Sequence, residues 1–174
     1  MINTLFLLCG PSGVGKSTWL KNAFLENWDK SKSVIVSRDE IRFYELRKDN
    51  LDSEHYFDKE PIVFATFIAT IASELLYGND VYADATHLTP AARSKVIKGV
   101  EKICKRKNPD FDFHVIALDF SHRDMEKHCL YNNSLRTGLA RVPEEAIKNQ
   151  CRIYKKPTTD EYKIVYVKEM GCLC

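Results

Sequence analysis

The 174-residue chain, 44% hydrophobic and 29% charged, is long enough to enclose a sizeable core, and its composition excludes a disordered polymer. A net charge of +2 is too small to imply a nucleic-acid partner by itself. The six cysteines lack paired metal-ligand spacing and read as reduced thiols in a cytoplasmic protein, with Cys172 and Cys174 in an exposed tail.

The first apolar stretch, residues 4–9, is too short for a signal-peptide core and reads as a buried strand. It runs directly into Gly10-Pro11-Ser12-Gly13-Val14-Gly15-Lys16-Ser17, a complete GxxxxGKS phosphate-binding loop. Glycines are needed there because the backbone must wrap closely enough around a polyphosphate for its N–H groups to point inward, at the positive end of the following helix. Ser12, Gly13, Val14 and Gly15 would cradle the phosphates, Lys16 would reach the β- and γ-phosphates, and Ser17 would take one position on Mg²⁺. Trp19, Leu20, Ala23 and Phe24 give the helical spacing expected after such a loop, over residues 17–25. ATP and Mg²⁺ are the expected cofactors.

Further strand-like runs at 33–37, 81–84, 113–118 and 162–167 alternate with helical patterns, which predicts a parallel sheet covered on both faces. Ligands of such sheets gather beyond the carboxyl ends of the strands, so polar residues there are the candidates for chemistry. After the second strand comes Ser37-Arg38-Asp39-Glu40-Ile41-Arg42, where Asp39 is the candidate general base. Arg42, one helical turn on, either pairs with a neighbouring carboxylate or grips a substrate phosphate. The polar run 48–59 reads as a mobile surface loop near a substrate entrance. Residues 61–77 form an apolar helix, with Pro61 in its first turn and Gly78 at its stop, too short for a membrane span.

The third strand ends in Asp84-Ala85-Thr86-His87, and Thr89-Pro90 supplies the cap of the next helix, which frees Asp84 to act on Mg²⁺ through water or on the substrate. Thr86 and His87 are expected near the acceptor. Residues 93–107 carry seven basic side chains against the single acid Glu101, with an apolar stripe at helical spacing, so this helix has a cationic face. Residues 132–143 read as a lid joining a helix that ends around Gly138 to one that starts near Pro143. Arg136 and Arg141 are placed there to neutralise a transferring phosphoryl group.

GPSGVGKSTW, SRDEIR and NNSLRTGLARVP together resemble the motifs of the P-loop kinases grouped around the bacteriophage polynucleotide 5′-hydroxyl kinase, with zeta-toxin-like enzymes among the wider relatives. The resemblance implies a three-layer P-loop NTPase sandwich with a central parallel sheet of about five strands, helices on both faces and an arginine-bearing lid, in a single domain over 1–174. It implies Asp39 as general base, Arg38 and Arg42 on the substrate side with Arg42 on a substrate phosphate, and Arg136 with Lys16 on the transferred phosphate. One departure stands out: Ala85 occupies the place of the family aspartate before Thr86, and Asp84 comes one position earlier. The expected activity is transfer of the ATP γ-phosphate to the 5′-OH of a polynucleotide. The alternatives are a small-molecule acceptor (nucleoside, nucleotide sugar or drug hydroxyl), a hydroxymethylated DNA base, or a nucleotide-dependent switch without transferase activity. The resemblance offers no counterpart for a phosphatase domain, and no membrane partner is expected.

Overall fold

A computed structural model describes residues 2–26, 32–159 and 162–166. Five strands, β1 (Asn3–Cys9), β2 (Ser33–Ser37), β3 (Asp80–Asp84), β4 (Phe113–Asp119) and β5 (Lys163–Tyr166), form one parallel sheet in the order β2-β3-β1-β4-β5. The fifth predicted run extends to 167, which lies outside the described residues, as does the tail with Cys172 and Cys174. Six helices connect the strands: α1 (Lys16–Glu26), α2 (Arg38–Lys48), α3 (Glu60–Leu76), α4 (Pro90–Lys107), α5 (Met125–Ser134) and α6 (Glu144–Ile153).

Alternation along the strands sorts the core into two layers. Leu5, Leu7 and Cys9 of β1 join Val81 and Ala83 of β3 and Ala117 of β4 against Phe67, Ile71 and Leu75 of α3 and Val96 and Val100 of α4. The intervening Phe6, Leu8, Tyr82 and Leu118 face the other way, onto Leu20 of α1, Cys129 of α5 and Ile147 of α6. This is the three-layer α/β sandwich expected of a P-loop NTPase. Because both faces of β1, β3 and β4 find apolar cover near the middle of the sheet, these strands read as largely continuous hydrophobic runs.

The capping expectations hold. Pro61 sits in the first turn of α3, and Gly78 follows its C-cap with φ +95°, a left-handed conformation that suits glycine. The Thr89 hydroxyl accepts from the Ala92 N–H at 3.2 Å, with Pro90 in the first turn of α4.

Three expectations need correction. Arg93, counted with the cationic face, is fully buried and donates to the carbonyls of His87 (3.1 Å) and Lys155 (3.0 Å), because only a long guanidinium stem reaches both carbonyls from the start of α4. The remaining basic side chains are exposed, but α4 runs back from the carboxyl end of β3 toward the start of β4, so Lys102, Lys105, Arg106 and Lys107 sit at the end of the sheet opposite the phosphate loop. The helix before the lid ends at Ser134 rather than around Gly138, which instead opens a short 3-10 turn, Gly138–Ala140. The 48–59 run contains a 3-10 turn, Ser53–His55, capped by Asp52, and an ion pair of 2.5 Å between Lys59 and Asp49, and it buries Tyr56.

Candidate functional site: a cleft above the phosphate loop

A cleft of about 760 Å³ opens at the carboxyl ends of the strands. Ser12 to Ser17 form its floor, between Arg38, Asp39, Arg42, Tyr56, Phe57 and Glu60 at the β2 end and Phe120, His122, His128, Asn132 and Arg136 at the β4 end. Asp84 and Thr86 line it between the loop and the β2 end. One topological fact explains this convergence: β1, which carries the loop, is the central strand, so the segments after β2, β3 and β4 all turn toward it.

The loop is tied down from several sides. The Gly10 N–H donates to the Thr86 carbonyl (2.9 Å), the Ser12 N–H to Gln150 Oε1 (2.8 Å), and Asn132 Nδ2 to the Gly13 carbonyl (2.7 Å). Gly13 has φ +86°, and a Cβ there would lie 2.6 Å from the Cys129 carbonyl oxygen, so only glycine lets α5 pass this close. A Cβ on Gly15 (φ +106°) would meet nothing within 4 Å, which leaves the inner side of the loop open for a ligand.

The Lys16 ammonium is buried and donates to the carbonyls of Gly10 and Pro11, both at 2.8 Å. Burial lowers its pKa, an effect that Asp84 and Asp39 oppose. The Ser17 hydroxyl donates to Asp84 Oδ2 at 2.7 Å. Burial raises the Asp84 pKa, with Lys16 and Ser17 pulling it back. A hydroxyl and a carboxylate side by side next to the loop lysine fit a hard cation such as Mg²⁺. Among the described residues no cluster of three or more His, Cys, Asp or Glu side chains is placed to hold a metal alone, so such a cation would draw its other oxygens from phosphate and water.

The β2 end carries a connected polar network. Ser37 caps α2 by accepting from the Glu40 N–H, so Asp39 enters the first helical turn beside the cleft. Arg42 donates through Nη1 to Asp39 Oδ1 and to the Tyr56 hydroxyl (3.1 Å), and through Nη2 to Glu60 Oε2 (2.9 Å). Tyr56 donates to Asp39 Oδ1 at 3.0 Å, and its ring lies 4.5 Å from the Arg42 guanidinium carbon. Arg38 pairs with the other Glu60 oxygen and lies over the Phe64 ring at 5.1 Å. Burial pulls the Arg42 pKa down, but Tyr56, Asp39 and Glu60 outweigh it and leave the pKa raised. Burial and the neighbouring Asp39 keep the Tyr56 phenol protonated well above its ordinary range.

Arg42 is 5% exposed, and its pairing with Asp39 realises the first of the two alternatives that the helical spacing left open. The phosphate grip implied by the resemblance requires it to release a carboxylate. Asp39 itself keeps a side chain 46% exposed, and Oδ1 receives both of its hydrogen bonds, so Oδ2 faces no partner among the described residues.

Ser12, Gly13, Val14, Gly15, Lys16, Ser17, Arg38, Asp39, Arg42, Asp84, Thr86 and Arg136 all line the one cleft. His87 does not. It is 4% exposed, takes φ +42°, and its Nδ1 meets the Leu8 carbonyl at 2.9 Å beneath the site. It anchors the β3–α4 turn, which Gly10, Arg93 and Lys155 also bind through the carbonyls of residues 86–88. In the lid, Asn133 bonds both the N–H (3.0 Å) and the carbonyl (2.8 Å) of Val142, closing the 134–141 loop at its base and carrying Arg136 at the cleft. Arg141 lies outside the cleft lining, 3.8 Å from Glu144.

The sequence reading missed Tyr56, Glu60, Gln150 and Asn133. The aromatic pair Tyr56-Phe57 inside an otherwise polar run was the available signal for Tyr56. Nothing local marked Gln150, which meets Ser12 across 138 positions of chain.

The sheet order and the loop after its central strand define a P-loop kinase fold. The family model described as an AAA domain matches residues 5–157, and the chain belongs to that family. No curated protein matches the sequence. Among solved structures, a fungal RNA kinase is similar over 97% of this chain and 38% of its own, with TM-score 0.62 and 14% identity. The structure of a Pnkp1/Rnl/Hen1 complex is similar over 75% of this chain and 38% of that one, with TM-score 0.52 and 20% identity. A gluconokinase from Sinorhizobium meliloti 1021 is similar over 97% and 85%, with TM-score 0.51 and 15% identity. The chain thus spans little more than a third of the length of the first two. At such identities the likeness establishes the fold.

Proposed function

We propose that this protein is a kinase that transfers the γ-phosphate of ATP to a hydroxyl, with the 5′-OH of a polynucleotide as acceptor. One observation carries the reading: Asp39 lines the cleft floored by the phosphate loop and Lys16, held on Oδ1 by Arg42 and Tyr56, with no partner on Oδ2 among the described residues. A nucleotide switch has no need of a clamped carboxylate at that place.

Asp39 Oδ2 orients the acceptor hydroxyl and takes its proton as the oxygen attacks the γ-phosphorus and the bond to the β-phosphate oxygen breaks, releasing ADP. Lys16 exchanges its two loop carbonyls for β- and γ-phosphate oxygens. Arg136, with no ion-pair partner among the described residues, offsets charge on the transferring group from the lid side. Ser17 and Asp84 would hold Mg²⁺, which when bound neutralises charge on the β- and γ-phosphates. The RNA-kinase likeness supports a nucleic-acid acceptor, whereas the match over most of the gluconokinase's length favours a small polyol as the second reading.

The test is γ-phosphate transfer from labelled ATP to a panel of 5′-OH oligonucleotides, nucleosides, gluconate and other sugars. Label on oligonucleotide 5′ ends is expected. Label on a sugar alone moves the acceptor to the second reading, and label on nothing, with ATP still bound, favours a switch.

A further inference from the structure

We infer that Phe57 is the surface on which the acceptor stacks, so the hydroxyl acceptor carries a planar base beside its sugar, as a nucleoside terminus does and a polyol does not. This inference rests on the kinase reading above and deepens it.

Phe57 lines the cleft yet remains 48% exposed, next to Asp39, Arg42 and Glu60. The ring is pre-positioned. It meets the buried Tyr56 edge to face, with centroids 4.8 Å apart at 76°, and lies 5.9 Å from the Arg42 guanidinium carbon. Its backbone is fixed by the Glu60 N–H, which donates to the Phe57 carbonyl at 3.1 Å, and the Lys59–Asp49 pair closes the same segment. Tyr56, the other aromatic ring at this end, is 4% exposed and already covered by Arg42, so Phe57 is the ring with surface to offer.

Charge points the same way. The two arginines here, Arg38 and Arg42, are both committed to Glu60, and Arg42 also to Asp39. A neutral sugar and its base meet the carboxylates of Asp39, Glu60 and Asp84 here without like-charge repulsion, and an acceptor's anionic group has to lie away from them or draw an arginine off Glu60. Stacking on an apolar ring needs no cation, and an exposed ring at a cleft mouth gains by being covered.

The experiment compares two dinucleotide acceptors with a 5′-OH, one bearing adenine on its 5′ sugar and one abasic there, using wild type, Phe57→Ala and Phe57→Trp. Phe57→Ala should raise the KM of the adenine-bearing acceptor by about 5- to 150-fold, the range base–aromatic stacking supports. It should leave the abasic acceptor and the ATP KM unchanged, and Phe57→Trp should restore the loss. An equal effect on both acceptors, no effect, or a loss that falls on ATP instead overturns the inference. If wild type phosphorylates neither dinucleotide, the polynucleotide-kinase reading fails on its own, and calorimetric titration of the same two compounds decides about Phe57. Affinity that depends on adenine and disappears in Phe57→Ala supports the stacking surface, and equal affinity for both compounds overturns it.

Discussion

The Tyr56 hydroxyl donates to Asp39 Oδ1 at 3.0 Å, although the two residues come from different segments, one from the turn before α3 and the other from the first turn of α2. The bond leaves Oδ2 without a partner among the described residues, which matters only if Asp39 acts on a hydroxyl. Tyr56→Phe keeps the ring beneath Arg42 and removes the donor alone. It should lower kcat by about tenfold, the scale of one hydrogen bond to a charged group, with the ATP KM unchanged. Titrating the ATP-binding fraction separates this from a folding defect, because a misfolded fraction lowers the number of ATP sites per chain whereas loss of the hydrogen bond leaves it unchanged.

Asp39→Asn preserves shape but cannot accept the proton. Turnover should fall by about 10²- to 10⁴-fold while ATP still binds normally by equilibrium titration. A folded variant with near-wild-type turnover removes Asp39 from the mechanism.

Arg42→Ala leaves Asp39 and Glu60 facing each other without their shared cation. Losing one partner of a buried pair costs about 3–5 kcal/mol, but both carboxylates keep solvent here, so a loss of about 2–3 kcal/mol in urea unfolding is expected. If Arg42 serves as the clamp on Asp39, kcat/KM should drop by the same factor for an acceptor with a 3′-phosphate and for a plain nucleoside. A selectively larger loss on the phosphate-bearing acceptor means that Arg42 leaves the clamp to grip substrate.

Lys16→Ala removes the one cation in the phosphate loop, which now rests on the carbonyls of Gly10 and Pro11. Transfer should be abolished and ATP affinity weakened, as read by single-turnover assay and titration. Substantially normal turnover overturns the assignment of the cleft floor.

Burial holds the His87 pKa down at about 3, against an ordinary value of 6.5. Between these two values the unfolded chain takes up a proton that the folded protein does not, so this contribution to stability is complete above pH 6.5 and is lost as pH falls toward 3. The slope from this one group is about 1.4 kcal/mol per pH unit. His87→Asn keeps a donor for the Leu8 carbonyl and tolerates the left-handed backbone, but does not titrate. Its stability, followed by urea unfolding from pH 4 to 7, should fall less steeply with acid than that of wild type. Parallel slopes would mean that His87 is already solvated.

Much of this protein was legible in its residues because the governing interactions are local. The apolar run at 4–9 reads as a strand from its own residues, and GxxxxGKS needs only its own backbone to declare a phosphate site. Thr89 and Pro90 likewise start α4 with their own side chains. The acceptor end was legible only in part. The spacing of Asp39 and Arg42 allowed two pairings, and the choice fell to Tyr56 and Glu60, 17 and 18 positions from the residues they bind. His87 and Arg93 were misplaced for the same reason: whether a polar side chain faces solvent or the interior depends on which carbonyls the fold brings within reach, here those of Leu8, His87 and Lys155. Local sequence determined the elements and the phosphate loop, because hydrogen bonds and side-chain periodicity within a few residues are enough to form them. Tertiary structure decided which charges are paired and which ring stays open, because those depend on partners that become neighbours only after the chain has folded.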